Sequence, residues 1–228
     1  MRKLSFIAIF MSIVLLEGCG RTDTLGTTDS AKNNPTAVGA SEQVPTSADG
    51  NILIAYFSRV GNTDFPDNVD AESSASIQLD GDEILGNCEV IANDVQKVIG
   101  GDVFLIQTAD KYPADYKKTV KQNVEEQEKG YLPEIAGKVK NMKHYDRIIL
   151  IYPTWAMSLP QAVASFLDNY DLTGKDIYPI NVNGGYGAGD TVSLIREHAK
   201  GAKVDDGIAI NAQEPTSAED KIKEYLLE

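Results

Sequence analysis

From residue 51 onward, short unbroken apolar runs alternate with amphipathic stretches. The runs are Ile52-Leu53-Ile54-Ala55-Tyr56-Phe57, Val103-Phe104-Leu105-Ile106 and Ile148-Ile149-Leu150-Ile151. Runs without polar alternation belong to strands covered on both faces, as in a parallel sheet. A fourth, Ile177 to Val182, is interrupted by Pro179, which cannot donate to a ladder and is expected at a bulge or strand end. A fifth and weaker run is Ile208-Ala209-Ile210. Between them, Val90, Ile91, Val95, Val98 and Ile99 fall on one helical face that Gly100-Gly101 stops. Ala162, Val163, Phe166, Leu167 and Tyr170 form a second stripe closed by Gly174. Val192, Ile195 and Ala199 form a third ending at Gly201, and Ile222, Tyr225 and Leu226 close the chain. Asp115 to Lys129 is helical but polar, which predicts an exposed helix. Strands alternating with helices predict βαβ units in an open, doubly wound α/β sheet, with ligand sites at the carboxyl ends of the strands.

The first 50 residues follow a different pattern. Arg2 and Lys3 precede an apolar run from Leu4 to Leu16, shorter than the ~20 residues a spanning helix needs. The run has the form of a secretory signal, assigned to residues 1–18. Leu16-Glu17-Gly18-Cys19 resembles the lipobox of bacterial lipoproteins, which implies a lipid-bearing Cys19 on an extracytoplasmic membrane face. An uncleaved anchor and a buried cysteine are the alternatives. Residues 19–50, rich in Thr, Ser, Asn, Ala and Gly, lack the apolar surface to offset ordering entropy and read as a flexible tether to the 51–228 body. With Cys19 lipidated, Cys88 is the sole remaining thiol.

Composition narrows the function. Thirty-four acidic residues against 21 basic ones give a net charge of −13 over 228 residues, which argues against nucleic acid and against electrostatic docking on anionic lipid. It suits a basic partner protein, or serves only solubility. Two cysteines and two histidines, His144 and His198, are too few and too scattered for a disulfide scaffold or zinc cluster.

Three loops that follow strands carry the candidate chemistry. Ser58-Arg59-Val60-Gly61-Asn62-Thr63 offers hydroxyls and backbone N–H groups that can wrap a phosphate. It lacks dinucleotide glycine spacing and a P-loop lysine, so a monophosphate fits it best. Tyr152-Pro153-Thr154-Trp155-Ala156-Met157-Ser158 holds the chain's single tryptophan. Asn183-Gly184-Gly185-Tyr186-Gly187-Ala188-Gly189 lets backbone pass close to something flat, with a ring available to cover it. No nucleophile–base pair is visible, which disfavours hydrolysis.

Together these loops resemble those of the flavodoxin-like family. Ser58–Thr63 is similar to its (S/T)-x-T-G-x-T phosphate loop, and Tyr152-Pro153-Thr154-Trp155 resembles the YPxWW stretch of one subfamily. Tyr112-Pro113-Ala114-Asp115-Tyr116, Asp171 to Lys175 and Val182 to Thr191 resemble further stretches of that group, so the likeness covers nearly all of residues 51–228. It implies a five-stranded parallel sheet of order 2-1-3-4-5 and non-covalently bound FMN. It places the phosphate among Ser58, Arg59, Val60, Gly61, Asn62 and Thr63. It sets the isoalloxazine along Pro153, Thr154, Trp155, Ala156 and Met157 on one side and Gly185, Tyr186 and Gly187 on the other.

Three departures qualify the likeness. Val60 stands where a threonine is common, removing a donor. Ala156 and Met157 replace the family's Trp and Gly; the glycine permits a peptide flip that stabilises the flavin radical, so Met157 implies two-electron behaviour. An acidic insertion, residues 64–87, carries an Asp80-Gly81 hairpin signal and is expected to displace the next helix's N-terminus. It reads as a lid or docking element, or as surface decoration. The expected function is electron transfer. The alternatives are an FMN-dependent NAD(P)H or quinone oxidoreductase, or a binding module without redox activity.

Overall fold

The computed structural model describes residues 51–66, 76–80, 83–213 and 218–227. The expectations for the signal, Cys19 and the tether, and much of the acidic insertion, lie outside them. Four parallel strands form the centre: β1 (Ile52–Phe57), β4 (Asp102–Thr108), β6 (Arg147–Pro153) and β7 (Asp176–Asn183). They run in the order β4-β1-β6-β7. β9 (Ile208–Asn211) lies parallel on the outer side of β7, completing the expected 2-1-3-4-5 order.

Two short strands extend this sheet beyond what the apolar runs predict. β8 (Lys203–Val204) pairs with the start of β7, and β5 (Ile135–Ala136) runs antiparallel on β4. Pro179 lies inside β7, opposite Leu150 of β6, rather than at a strand end. The reason is on the outer side. β7 changes partner there from β8, at Ile177, to β9, at Ile180, so that three residues, 205–207, stand opposite two, with Gly207 packed closely on Pro179. A residue without an N–H is tolerated where the ladder is already broken.

Alternation along the strands divides the core in two. Leu53, Ala55 and Phe57 face Phe166 and Ile195, on the side of α3 (Gln161–Asp168) and α4 (Thr191–His198). Ile54 and Tyr56 face Ile91, Val95 and Ile222, on the side of α1 (Asn87–Ile99) and α5 (Glu219–Leu227). Both faces are buried, which is why the strands read as unbroken apolar runs. Tyr170 lies beyond the end of α3, which stops at Asp168 rather than running on to Gly174. The remaining helix, α2 (Tyr116–Lys129), starts on Asp115, whose carboxylate accepts the Lys118 N–H, and packs on α3.

The acidic insertion contains the expected hairpin: β2 (Ile77–Asp80) pairs antiparallel with β3 (Glu83–Gly86). It does not displace the helix that follows. Gly86, the N-cap of α1, presses on Ser58 so closely that a Cβ there would stand 2.0 Å from the serine Oγ. The hairpin takes one of the free N–H groups of α1, through Asn87 N–H to Ser76 O at 3.1 Å.

Candidate functional site

The connection after β1 leads to β4 on one side, and the chain then returns to β6 on the other. The carboxyl ends of these strands therefore open a crevice at the topological switch point. Its first element is the 58–63 loop. Four of its six carbonyls are bonded into the protein. Ser58 O accepts from Asn62 Nδ2 (2.8 Å), Arg59 O from Asn62 N–H (2.9 Å), Gly61 O from Gln107 Nε2 (3.1 Å) and Asn62 O from Tyr112 N–H (2.7 Å). Turning these acceptors inward removes lone pairs that would repel an anion in the loop. Among the described residues Thr63 Oγ1, buried, has no hydrogen-bond partner, a donor awaiting an acceptor.

Sequence reasoning groups all six loop residues as one cradle; the structure divides their labour. The Asn62 amide is fully buried and spent on support. It donates also to Ile106 O (2.9 Å) and accepts from Thr108 N–H (2.8 Å). Gly61 has φ +86°, and a Cβ there would stand 2.5 Å from Leu105 Cδ2. Arg59 reaches out of the loop, donating to the carbonyls of Pro113 (3.2 Å) and Ala114 (3.1 Å), with its guanidinium over the Phe65 ring. Val60 N–H donates to Ser58 Oγ.

Beside the loop lies a cleft of about 450 Å³, within the ~300–1,000 Å³ range of small-molecule sites. One wall is the β6 loop: Pro153, Thr154, Trp155, Ala156 and Met157. The Trp155 indole is half-buried, edge-on to Phe57 (5.3 Å between centroids) and to Tyr112 (5.2 Å). Trp155 and Ser158 exchange backbone hydrogen bonds of 3.0 Å around a two-residue turn. Both turn residues are left-handed, Ala156 at φ 49° and Met157 at φ 65°. Non-glycine residues adopt this conformation only at a cost of ~1–3 kcal/mol each. Met157 therefore does not exclude the positive φ that a glycine would take: the fold enforces it. Gly189 packs on the Met157 carbonyl, and Asp190 N–H donates to it.

The opposite wall carries Tyr186, half-exposed, its hydroxyl donating to Thr154 O (3.3 Å). Burial raises its phenol pKa. A buried polar chain fixes its loop. Asn183 Oδ1 accepts from Gly185 N–H (2.9 Å) and Gly187 N–H (3.0 Å). Asn183 Nδ2 donates to Asn181 Oδ1, Asn181 Nδ2 to Thr154 Oγ1, and Thr154 Oγ1 to Gly187 O. Every member is satisfied, which rigidifies both loops as one unit.

The sequence reading misses the third wall. α2 is not simply an exposed helix: Tyr116, Thr119, Val120 and Asn123 line the cleft, a stripe spaced i, i+3, i+4, i+7. Two polar members hid that periodicity. Ser76, at the base of the acidic hairpin, also lines the cleft and accepts from Trp155 Nε1 at 3.4 Å. Among the described residues no cluster of three or more His, Cys, Asp or Glu could hold a metal ion.

A doubly wound sheet with an anion-ready loop after its first strand and an aromatic cleft beside it defines an α/β protein for a phosphorylated, flat ligand. Residues 82–227 match the family model for flavodoxin, and the chain belongs to the flavodoxin family. The match starts beyond the 58–63 loop. A flavoprotein of Bacteroides uniformis ATCC 8492 is 19% identical, covering 78% of this chain and 98% of its own, with a TM-score of 0.58. One from Bacteroides eggerthii DSM 20697 is 21% identical over 75% and 97%, TM-score 0.53. A third, from Lactobacillus acidophilus NCFM and solved in complex with FMN, is 18% identical over 75% and 97%, TM-score 0.52. These likenesses establish a shared fold. No match was found among curated proteins.

Proposed function

We propose that this chain binds FMN and transfers electrons at the outer face of a bacterial membrane, tethered through Cys19. The observation that carries the FMN reading is the 58–63 loop, with its carbonyls bonded inward and the Thr63 hydroxyl unpartnered beside an aromatic cleft. Family membership and the FMN-bound Lactobacillus neighbour support it. Ser58 and Thr63 hold the phosphate, Asn62 and Gln107 hold the loop, and Trp155 and Tyr186 hold the ring and keep water from it. When bound, FMN supplies the reversible electron transfer. The protein holds the ring between rigid loops, and the phosphate needs only neutral donors. The net charge of −13 favours a basic redox partner.

Replacing Ser58 and Thr63 together by Ala tests the site: FMN affinity falls at least about tenfold, while riboflavin, without phosphate, binds as before. Equal losses for both ligands would place the phosphate elsewhere. Replacing Cys19 by Ala tests the tether: the chain leaves the membrane fraction, and retention with an unchanged mass refutes it.

One observation favours a second reading, an FMN-dependent NAD(P)H or quinone oxidoreductase. Tyr116, Val120, Met157 and Tyr186, exposed large apolar side chains, all line this cleft, a surface suited to a second flat substrate. Bleaching of bound FMN by NADH or NADPH under anaerobic conditions favours that reading, and its absence favours the carrier.

A further inference from the structure

We infer that Glu126 is a positioning residue for Trp155: its buried carboxylate holds the Tyr112 phenol that braces the indole at the cleft. The inference deepens the FMN reading by naming what sets the cleft's aromatic wall, and rests on that reading only where ligand affinity is measured.

Glu126 lies on the inner face of α2, 5% exposed. Among the described residues it forms no ion pair. Two neutral donors hold it: the Tyr112 hydroxyl on Oε2 (3.0 Å) and Gln122 Nε2 on Oε1 (2.9 Å). Tyr112 is itself buried. Its ring stands perpendicular to Trp155, and its N–H donates to Asn62 O in the phosphate loop. The next residue, Gln127, donates to the Trp155 carbonyl at 3.0 Å. One turn of α2 therefore grips the backbone of Trp155 directly and its ring through Tyr112.

An unpaired acid is a poor packing residue, because burial penalises its charge. Here burial raises the Glu126 pKa, opposed by the Gln122 and Tyr112 hydrogen bonds. The ionised form accepts from both donors. A neutral acid must use its own proton; if it donates to the Tyr112 oxygen, the phenol hydrogen loses its acceptor inside the fold. Protonation therefore reorganises the brace under Trp155. Other ionisable groups on the surrounding segments are Tyr131, Glu134 and Asp168, the last paired with His198 at 3.0 Å, and Asp64, paired with Lys111. Glu125 pairs with both Lys121 and Lys129 on the outer surface of α2.

Trp155 is the only tryptophan of the chain, so its emission, excited selectively, reads this site alone. The full chain without FMN is titrated from about pH 4 to pH 9. The expected result is one step in Trp155 emission with a midpoint above the usual carboxylate range. The step is absent in Glu126→Gln, and in Tyr112→Phe it is shifted upward, because the ionised acid loses a donor. FMN affinity measured across the same range falls about three- to tenfold on the acid side of the step in the natural chain and is flat in Glu126→Gln. A step that persists in Glu126→Gln, or no step in the natural chain, overturns the inference. If FMN fails to bind at any pH, the FMN reading fails, and the emission step still decides the role of Glu126.

Discussion

Asn62 is the single residue on which the phosphate loop depends most, and Asn62→Ala exposes that dependence. Its fully buried amide donates to Ser58 O and Ile106 O and accepts from Thr108 N–H. The Thr108 hydroxyl also points at it, at 3.2 Å, but keeps a second partner in Asp110 O at 2.7 Å. Alanine leaves two carbonyls and one N–H without partners. Each buried orphan costs about 1–3 kcal/mol, and water entering the small cavity offsets part of that. The expected loss is therefore about 3–6 kcal/mol, or a fall in Tm of roughly 6–24 °C for a body of this size. Urea unfolding followed by far-ultraviolet circular dichroism measures it. Asn62→Asp keeps the acceptor for Thr108 but sets a carboxylate against two carbonyls, so it loses at least as much. A loss below about 1 kcal/mol in Asn62→Ala would show that the loop stands without this residue, refuting the division of labour assigned to it.

Other perturbations have defined outcomes. Gly61→Ala costs about 1–2 kcal/mol through its left-handed φ alone, and the clash with Leu105 adds to that. Gly61→Ala with Leu105→Ala therefore removes the clash but still shows the φ cost against Leu105→Ala alone. Ala156→Asn with Met157→Gly gives the 155–158 turn the residues its backbone demands, raising stability by about 1–2 kcal/mol in thermal melts; no gain would mean the turn is unstrained. With its folded-state pKa raised, Glu126 contributes stability that is complete below the unfolded carboxylate value and is lost as pH rises through the folded one. Glu126→Gln removes that slope, so its urea midpoint falls less between about pH 4 and pH 8 than that of the natural chain; an equal or larger fall would contradict the sign.

The five strands were legible because both sheet faces are covered, leaving apolar runs with no competing pattern; their order was implied by the resemblance of the loops to the flavodoxin-like family. The hairpin was legible from Asp80-Gly81, since turn chemistry is local. β5 was not, because a two-residue edge strand at Ile135–Ala136 leaves no periodicity to read. At the site, Trp155 and Tyr186 stood out as lone aromatics in strand-end loops, and the structure sets both on the cleft. The α2 wall was hidden because Thr119 and Asn123 are polar yet buried, held by tertiary contacts that composition cannot anticipate. The roles of Arg59 and Asn62 depend on partners some 45 to 55 positions away, Ile106, Thr108, Pro113 and Ala114. The left-handed Ala156 and Met157 violate their own local preference, which sequence reasoning has no means to overrule.

The most direct test of the account is an equilibrium titration of the full chain with FMN, following Trp155 emission together with the flavin absorbance band. The account predicts saturable quenching of the single tryptophan at one FMN per chain, with riboflavin binding more weakly because it leaves Ser58 and Thr63 without a phosphate to hold. Unchanged Trp155 emission at saturating FMN, or equal affinity for FMN and riboflavin, would contradict it.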